Sequence, residues 1–157
     1  MQITMTTEYA VRALLYLCSG DVNSPRRIGE VASGAQVPES YLRKIVPVLT
    51  KAGFVRSSVG VTGGIQLAVS ATELTLLDVF EAVEGKMFLN KCLIHHNVCH
   101  RSPYCAVHVV WSGVQEQIKT SLRAKTLADL ATETAANFAS YMSMAAGAKA
   151  APAPVSN

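Results

Sequence analysis

The sequence has little charge and no long apolar run, and both absences narrow the kinds of protein it can encode. Only 16% of the 157 residues are charged and the net charge is +3, so overall charge gives weak support to nucleic-acid binding. No segment approaches the roughly 20 apolar residues of a membrane helix. Glu8 and Arg12 interrupt the N-terminus before an apolar stretch of signal-peptide length. We therefore expect a cytoplasmic protein with no membrane partner.

Familiar catalytic motifs are missing as well. The chain has no phosphate-binding loop with its lysine, no nucleophile elbow and no metalloprotease helix with paired histidines. We therefore expect no enzymatic activity and no small-molecule substrate. Because half of the residues are apolar, the chain is long enough for one domain with its own core, or for one domain with an appended element.

The chain does contain a concentration of soft ligands between residues 92 and 108. Three of the four cysteines and all four histidines fall within these positions, and turn formers and polar residues separate them. Thiolate and imidazole are ligands that soft and borderline metals prefer. In a reducing compartment, clustered cysteines favour ligands or redox sensors over disulfides. The segment therefore predicts a metal or iron–sulphur site.

The residues before this segment are patterned as a winged helix-turn-helix. Apolar residues recur at helical spacing over 6–19, 27–33 and 38–52, and a glycine follows each run. Two strand-like runs, 54–59 and 65–69, then flank a glycine-rich turn. A short helix, a turn, a second helix and a glycine-tipped hairpin outline a DNA-binding fold whose second helix enters the major groove.

One residue conflicts with this pattern. Pro47 falls inside the second helix of the helix-turn-helix, where proline removes a helical hydrogen bond and costs about 3 kcal/mol relative to alanine. We therefore expect a bend or a local loss of regularity at this position.

The C-terminal third predicts a long helix with an apolar stripe. The stripe, which covers about 106–124, consists of Val107, Trp111, Val114, Ile118 and Leu122. A long helix at the end of a small DNA-binding domain commonly forms a two-fold dimer, which suits palindromic DNA. Thr126 is expected to cap one further helix.

The predicted fold class is therefore mainly α, with a two-stranded wing and a long C-terminal dimerisation helix. We assign 1–85 to the winged-helix DNA-binding domain and 86–105 to a cluster-binding cysteine loop. The dimerisation and terminal helices occupy 106–144, and an Ala/Pro-rich tail, 145–157, is expected to be disordered.

In order and spacing, these motifs resemble the IscR/NsrR family of bacterial iron–sulphur transcriptional regulators. The resemblance covers about residues 1–135. Besides the three-cysteine segment it rests on four runs, Tyr9-Ala10-Val11-Arg12-Ala13, Tyr41-Leu42-Arg43-Lys44, Gly60-Val61-Thr62-Gly63-Gly64 and Thr126-Leu127-Ala128-Asp129-Leu130. It implies a homodimeric repressor or activator that binds double-stranded promoter DNA. An iron–sulphur cluster sensing nitric oxide, redox state or iron–sulphur status would control that binding.

The resemblance also implies a ligand set. Cys92, Cys99 and Cys105 match the family's cysteines, although six and five residues separate them where the family usually has five and five. His108 stands where IscR-like members place a fourth ligand, and an imidazole suits a [2Fe-2S] centre. Glu8 stands where NsrR-like members donate a carboxylate from the partner subunit, which suits a [4Fe-4S] centre. Both alternatives stay open, with His108 ahead.

The other histidines have no counterpart in the family. They are interpreted as solvated loop residues and are His95, His96 and His100.

Residues predicted to contact DNA lie at the start of the first helix of the motif, on its second helix and on the wing. They are Arg27, Ser40, Tyr41, Arg43, Lys44, Arg56, Ser57, Ser58, Gly60, Thr62, Gly63 and Gly64. Arg43 can pair bidentately with guanine. The wing departs from the family pattern because Val59 replaces the usual arginine and Ile65 replaces an aromatic residue, so it should bind more weakly or rely on Arg56.

Three alternatives to a cluster regulator remain. Three cysteines and a histidine would also satisfy structural zinc. The cysteines could instead form disulfides on oxidation in a cluster-free thiol regulator. The chain could also be a small redox or partner-binding protein with a vestigial winged helix, an interpretation that Val59 and Ile65 in the wing support. The basic residues of the second helix, taken alone, also fit an ordinary solvated face.

Overall fold

The computed structural model describes residues 3–20, 24–60, 63–95 and 99–149. In these ranges the chain forms six α-helices and one two-stranded antiparallel sheet, which confirms the predicted fold class. The elements in order are α1 (Met5–Cys18), α2 (Ile28–Gly34), α3 (Glu39–Lys51), β1 (Val55–Ser58), β2 (Gly64–Leu67), α4 (Leu76–Glu84), α5 (Ala106–Arg123) and α6 (Leu127–Lys149). Two single turns of 3₁₀ helix, Lys91–Leu93 and Ser102–Tyr104, lie between α4 and α5.

Helix α1 forms the centre of the main core. Its buried face contains Ala10, Ala13, Leu14 and Leu17, and it contacts α2, α3, α4, α6 and β2. Cys18, at the end of α1, is half-buried against this core, and desolvation by burial raises the pKa of its thiol. Cys18 is therefore a small core residue rather than a ligand.

Helix α3 continues through Pro47, so the loss of regularity expected there does not occur in this described element. Pro47 lies on the exposed face, while the opposite face buries four apolar side chains, Leu42, Ile45, Val46 and Leu49. Burial of each such side chain contributes about 1.5–3 kcal/mol. Together they outweigh the roughly 3 kcal/mol that an interior proline costs.

The wing is the predicted hairpin with one addition. Val55 pairs with Leu67 at its base, and Ser58 pairs with Gly64 near its tip. Arg26 also forms an antiparallel bridge with Ile65, in which the two residues exchange N–H···O bonds of 2.9 and 2.8 Å. The segment before α2 therefore supplies a one-residue third strand, which the sequence analysis did not predict.

The cap predicted for the last helix is confirmed. The backbone N–H of Thr126 donates to Asp129 Oδ2 at 3.0 Å, and the N–H of Asp129 donates to Thr126 Oγ1 at 3.2 Å, which is a reciprocal capping arrangement. The N–H of the buried Leu127 also donates to the carbonyl of Leu74 at 2.8 Å. These bonds join the start of α6 to the winged-helix domain.

The boundary predicted for the C-terminal tail requires correction. Helix α6 continues to Lys149, whereas disorder was expected from residue 145. Alanine has the most favourable helix propensity of all residues, so an alanine-rich stretch extends an existing helix even where it has little to bury. Residues 150–157 lie outside the described residues.

The predicted apolar stripe on α5 divides into two parts. Ile118 and Leu122 pack on a second, small core formed by Leu77, Phe80 and Met87. The residues nearer the N-terminus of α5 remain exposed, including Val107, Trp111 and Val114. No described helix has both the length and the apolar content needed to cross a membrane.

Glu84 joins the end of α4 to the start of α1 and provides a test of this packing. Its Oε1 accepts hydrogen bonds from the N–H of Thr4 at 3.3 Å and from the hydroxyls of Thr4 and Thr7. The hydroxyl bonds, first from Thr4 and then from Thr7, lower the pKa of the carboxyl group. The stability that these hydrogen bonds contribute is therefore present at a pH above the unfolded-state pKa of Glu84. It is lost as the pH falls through the folded-state pKa of Glu84.

We expect Glu84→Gln to lower the free energy of unfolding at neutral pH by at most about 1 kcal/mol, because the carboxylate is exposed and solvent screens it. Urea unfolding measured from about pH 7 to pH 3 should show that Glu84→Gln loses less stability in acid than the wild type does. Glu73→Gln, at an exposed position, is the control. Parallel pH profiles for Glu84→Gln and the wild type would contradict the assignment.

Candidate functional site

The described part of the cysteine segment lies at the N-terminal end of α5. Cys92 is in the first 3₁₀ turn, and Cys105 is the residue immediately before α5. His108 is in the first turn of α5, where its N–H donates to the carbonyl of Cys105 at 3.0 Å. Both Cys105 and His108 are partly exposed.

A cavity of about 410 Å³ brings Cys92 and His108 together. Its wall consists of Cys92, Leu93, Ile94, His95, His108, Ser112 and Gln115. Cys99 and Cys105 are not among these lining residues. All four cysteines are free thiols, and within the described residues no three His, Cys, Asp or Glu side chains are grouped as a metal site. The cavity thus contains two of the four predicted ligands.

His95 also lines this cavity, although nothing in the sequence separates it from the other loop histidines. His100 is exposed and is not among the lining residues, while His96 lies outside the described residues. One histidine interpreted as a solvated loop residue is therefore adjacent to the candidate ligands.

The imidazole of His108 has the property expected of a ligand. Its Nδ1 atom is buried and has no hydrogen-bond partner among the described residues. A buried polar atom without a partner costs about 1–3 kcal/mol, and coordination of a metal would satisfy this nitrogen. The thiol of Cys92 and the imidazole of His108, which both line the cavity, are therefore suitable ligands for a soft or borderline metal.

Glu8, the alternative fourth ligand, has a different environment. Its carboxylate forms an ion pair with Arg12 one turn further along α1. Both side chains are partly exposed, and Glu8 does not line the cavity near His108. Any role as a ligand would therefore require the cysteine segment of a partner subunit.

A second cleft, of about 450 Å³, lies between the helix-turn-helix and the wing. It is lined by Arg27, Ile28, Arg43, Ser58, Gly60, Gly63 and Gly64. Six of these seven residues are predicted DNA contacts, and they come from the start of α2, from α3 and from the wing. The fold thus gathers two guanidinium groups and a glycine-lined backbone around one concave surface.

The remaining predicted DNA contacts surround this cleft. Arg56 and Ser57 line a separate hollow of about 350 Å³ on the wing, and Ser40 is exposed on α3. The ammonium of Lys44 lies over the ring of Tyr41, 5.6 Å from its centroid. Thr62 lies outside the described residues.

The guanidinium of Arg43 is held by a neighbour on α3. Its Nε and Nη2 atoms donate to Oε1 of Glu39 at 3.1 and 2.5 Å, across one helical turn. Both side chains are well exposed, and exposed pairs of this kind contribute only about 0.2–1 kcal/mol. Arg43 can therefore exchange Glu39 for another acceptor at small cost.

Two residues that matter to these surfaces were missed by the sequence analysis. Arg26 supports the wing through its main chain, and no local pattern indicates such a bridge. Gln115 lies on the cavity wall and follows His108 and Ser112 at helical spacing, so the spacing alone could have placed it on the ligand-bearing face of α5.

Comparison with known proteins agrees with this architecture. The Rrf2 family profile, described as an iron-dependent transcriptional regulator, matches residues 3–133. The chain belongs to the Rrf2 family. It is 35% identical over 136 residues to the HTH-type transcriptional regulator NsrR of Geobacillus kaustophilus, covering 86% of this chain and 92% of the relative. It is 31% identical over 130 residues to Protein rrf2 of Nitratidesulfovibrio vulgaris, covering 83% of this chain and 87% of that relative.

Solved structures show the same fold. IscR of T. potens is similar with a TM-score of 0.67 and 25% identity, covering 85% of this chain and 88% of the other. CymR of B. subtilis, the global cysteine regulator, gives a TM-score of 0.71 at 23% identity, covering 85% and 98%, and supports the fold alone. The Rrf2 assignment makes the chain a transcriptional regulator with a winged helix-turn-helix.

The wing of this Rrf2 chain provides a second test. A Cβ atom at Gly64 would lie 2.4 Å from the carbonyl oxygen of Arg26 and 2.7 Å from its carbonyl carbon, so the bridge to Ile65 would have to open. We expect Gly64→Ala to lower the free energy of unfolding by about 1–3 kcal/mol. Urea denaturation measures this value.

Gly29→Ala is the matched control. Gly29 lies in helix α2, and its Cβ would meet only the Glu39 carboxylate, at 3.4 Å. Alanine in a helix is favoured over glycine by about 0.5–1 kcal/mol, so this variant should be as stable as the wild type or more so. Equal stability of the two alanine variants would refute the close packing of Arg26 on the wing.

Proposed function

We propose that this Rrf2 regulator is a homodimer whose affinity for promoter DNA is controlled by an iron–sulphur cluster. The cluster would be held by Cys92, Cys99, Cys105 and His108. The observation that carries the proposal is the cavity near the start of α5, where Cys92 and His108 share one wall and His108 presents a buried, unpartnered Nδ1. The relatives named NsrR and IscR support the same class of function.

The bound cluster would supply a centre sensitive to nitric oxide, oxidants or iron shortage. The protein's own residues would carry its effect to DNA. His108 lies at the start of α5, and the other half of α5 packs through Ile118 and Leu122 on the small core that includes Leu77 and Phe80 of α4. Helix α4 contacts both α1 and α3. Ordering of the cysteine segment would therefore bias the position of the recognition helix α3 through packed side chains.

The cleft between α3 and the wing is the proposed DNA surface. Arg27 and Arg43 would bind phosphate or guanine, and the glycines of the wing allow the backbone to approach closely. Val59 is fully exposed at the tip of β1, in place of a basic residue. The wing would then contribute less electrostatic affinity for DNA than a wing with a basic residue at this position. Arg43 would account for a larger share of the sequence preference.

The exposed half of the α5 stripe supports dimer formation. Val107, Val110 and Trp111 are more than one-third exposed, and contiguous apolar surfaces of this kind mark interfaces. A second copy with two-fold symmetry would cover both stripes and present two recognition helices to a palindromic site.

A cluster-free thiol regulator is the second candidate function. The observation that favours it is that the three cysteines of the segment are free and partly exposed, and that no three ligands are gathered within the described residues. In that case, oxidation of the thiols would replace loss of the cluster as the signal.

Anaerobic spectroscopy with metal analysis distinguishes these functions. We expect the purified protein to be coloured and to carry iron and acid-labile sulphide. His108→Ala should lose most of the cluster or shift its absorption and Mössbauer spectra, because a ligand is removed, whereas Glu8→Ala should retain the wild-type spectra. A colourless protein with stoichiometric zinc, or DNA binding that responds to thiol oxidation without any cluster, would overturn the proposal.

Arg43→Ala tests the DNA surface. If Arg43 pairs with guanine, the variant should lose about 1–3 kcal/mol of discrimination at one base position. Binding to a library of operator sequences at fixed salt measures this preference. Lys51→Ala, at an exposed position at the end of α3, is the control and should leave sequence preference intact. Uniform weakening of Arg43→Ala across all sequences would show that it contacts only phosphate.

A further inference from the structure

Helix α5 buries a polar side chain while it exposes apolar ones. Gln115 is 7% exposed and is the buried residue of this helix, whereas the adjacent Val114 is 37% exposed and Trp111 is 40% exposed. Burial of an amide is unfavourable unless it forms hydrogen bonds. The position of Gln115 therefore requires a compensating interaction.

That interaction is a long-range hydrogen bond to the main chain before the cysteine segment. The N–H of Leu89 donates to Oε1 of Gln115 at 3.1 Å. Leu89 lies between Met87, which is buried in the second core, and the 3₁₀ turn that contains Cys92. Gln115 thus attaches the chain entering the segment to the middle of α5.

The same side chain is part of the cavity wall. Gln115 lines the cavity together with Cys92 and His108, and it lies two turns after His108 on the same face of α5. It therefore contacts the main chain that carries one candidate ligand and shares a helix face with the other.

We propose that Gln115 is a positioning residue of the cluster site and sets the separation between Cys92 and His108. The inference rests on the proposed function, because the cluster is what the two ligands would hold. Without the bond from Leu89, the chain entering the 3₁₀ turn would lose one of its attachments to α5, and Cys92 would occupy a wider range of positions across the cavity. The consequence would be faster loss of the cluster and a more reactive Cys92 in its absence.

The test compares Gln115→Leu, which removes the acceptor at similar size, with Gln115→Glu, which keeps an acceptor at the same position. Gln117→Leu is the matched control, because Gln117 is an exposed glutamine on the same helix. Thermal unfolding first shows that each variant is folded. In the cluster-free protein, hydrogen exchange at Leu89 and alkylation of Cys92 by iodoacetamide are measured by mass spectrometry.

In cluster-free Gln115→Leu, we expect the rates of hydrogen exchange at Leu89 and of alkylation at Cys92 to rise about five- to tenfold, which is the effect of losing one hydrogen bond. Cys18 should keep its wild-type alkylation rate. Gln115→Glu and Gln117→Leu should stay near the wild-type values. In the reconstituted protein, transfer of iron to an excess of chelator should accelerate to a similar degree in Gln115→Leu alone.

Three results separate the possible failures. Unchanged Leu89 exchange in Gln115→Leu would overturn the hydrogen bond itself. Faster Leu89 exchange with unchanged Cys92 alkylation would overturn the positioning role and leave Gln115 as a loop anchor only. If the wild-type protein accepts no iron and sulphide, the proposed function fails, and the cluster-free rates still decide whether Gln115 positions Cys92.

Discussion

The burial of one face of α1 is the interaction on which the rest of this structure depends. Leu14 and Leu17 are almost fully buried, and each contributes about 1.5–3 kcal/mol by leaving water. Helix α1 contacts both helices of the helix-turn-helix, α2 and α3, and it also contacts α4 and α6. The helix-turn-helix, α4 and α6 therefore share one apolar core around α1, so a change in the packing of one of them affects the others.

The candidate cluster site is supported by the smaller core. Leu77, Phe80 and Met87 form that core with the second half of α5, and the cysteine segment leaves it directly after Met87. Few apolar groups hold the described part of the segment, 92–95 and 99–108, since its residues are exposed or half-exposed. Segments with low local burial open at low cost, and this property is useful in a sensor because a ligand can then decide whether the segment is ordered.

Local chemistry explains how much could be predicted from the sequence. The helices, the hairpin and the Thr126 cap follow from periodicity, glycine and capping preferences within a few residues. Helix α3 continues through Pro47 because packing against other elements offsets the cost of the proline, and a local pattern does not show that packing. The bridge from Arg26 and the bond from Leu89 to Gln115 join residues far apart in sequence, and no local pattern encodes them. His95 and His100 look alike in the sequence, and only the cavity distinguishes them.

Arg26 links two parts of the domain that the linear order keeps apart. Its main chain belongs to the sheet through Ile65. Its guanidinium donates to the carbonyl of Ser19 and, at 3.5 Å, to the carbonyl of Tyr16. Both carbonyls lie at the C-terminus of α1, where the helix dipole favours a positive charge. Arg26 thus connects the end of α1 to strand β2 of the wing, one residue from its tip pair. Because the end of α1 and strand β2 share this one residue, a shift of α1 would be transmitted through Arg26 to the wing.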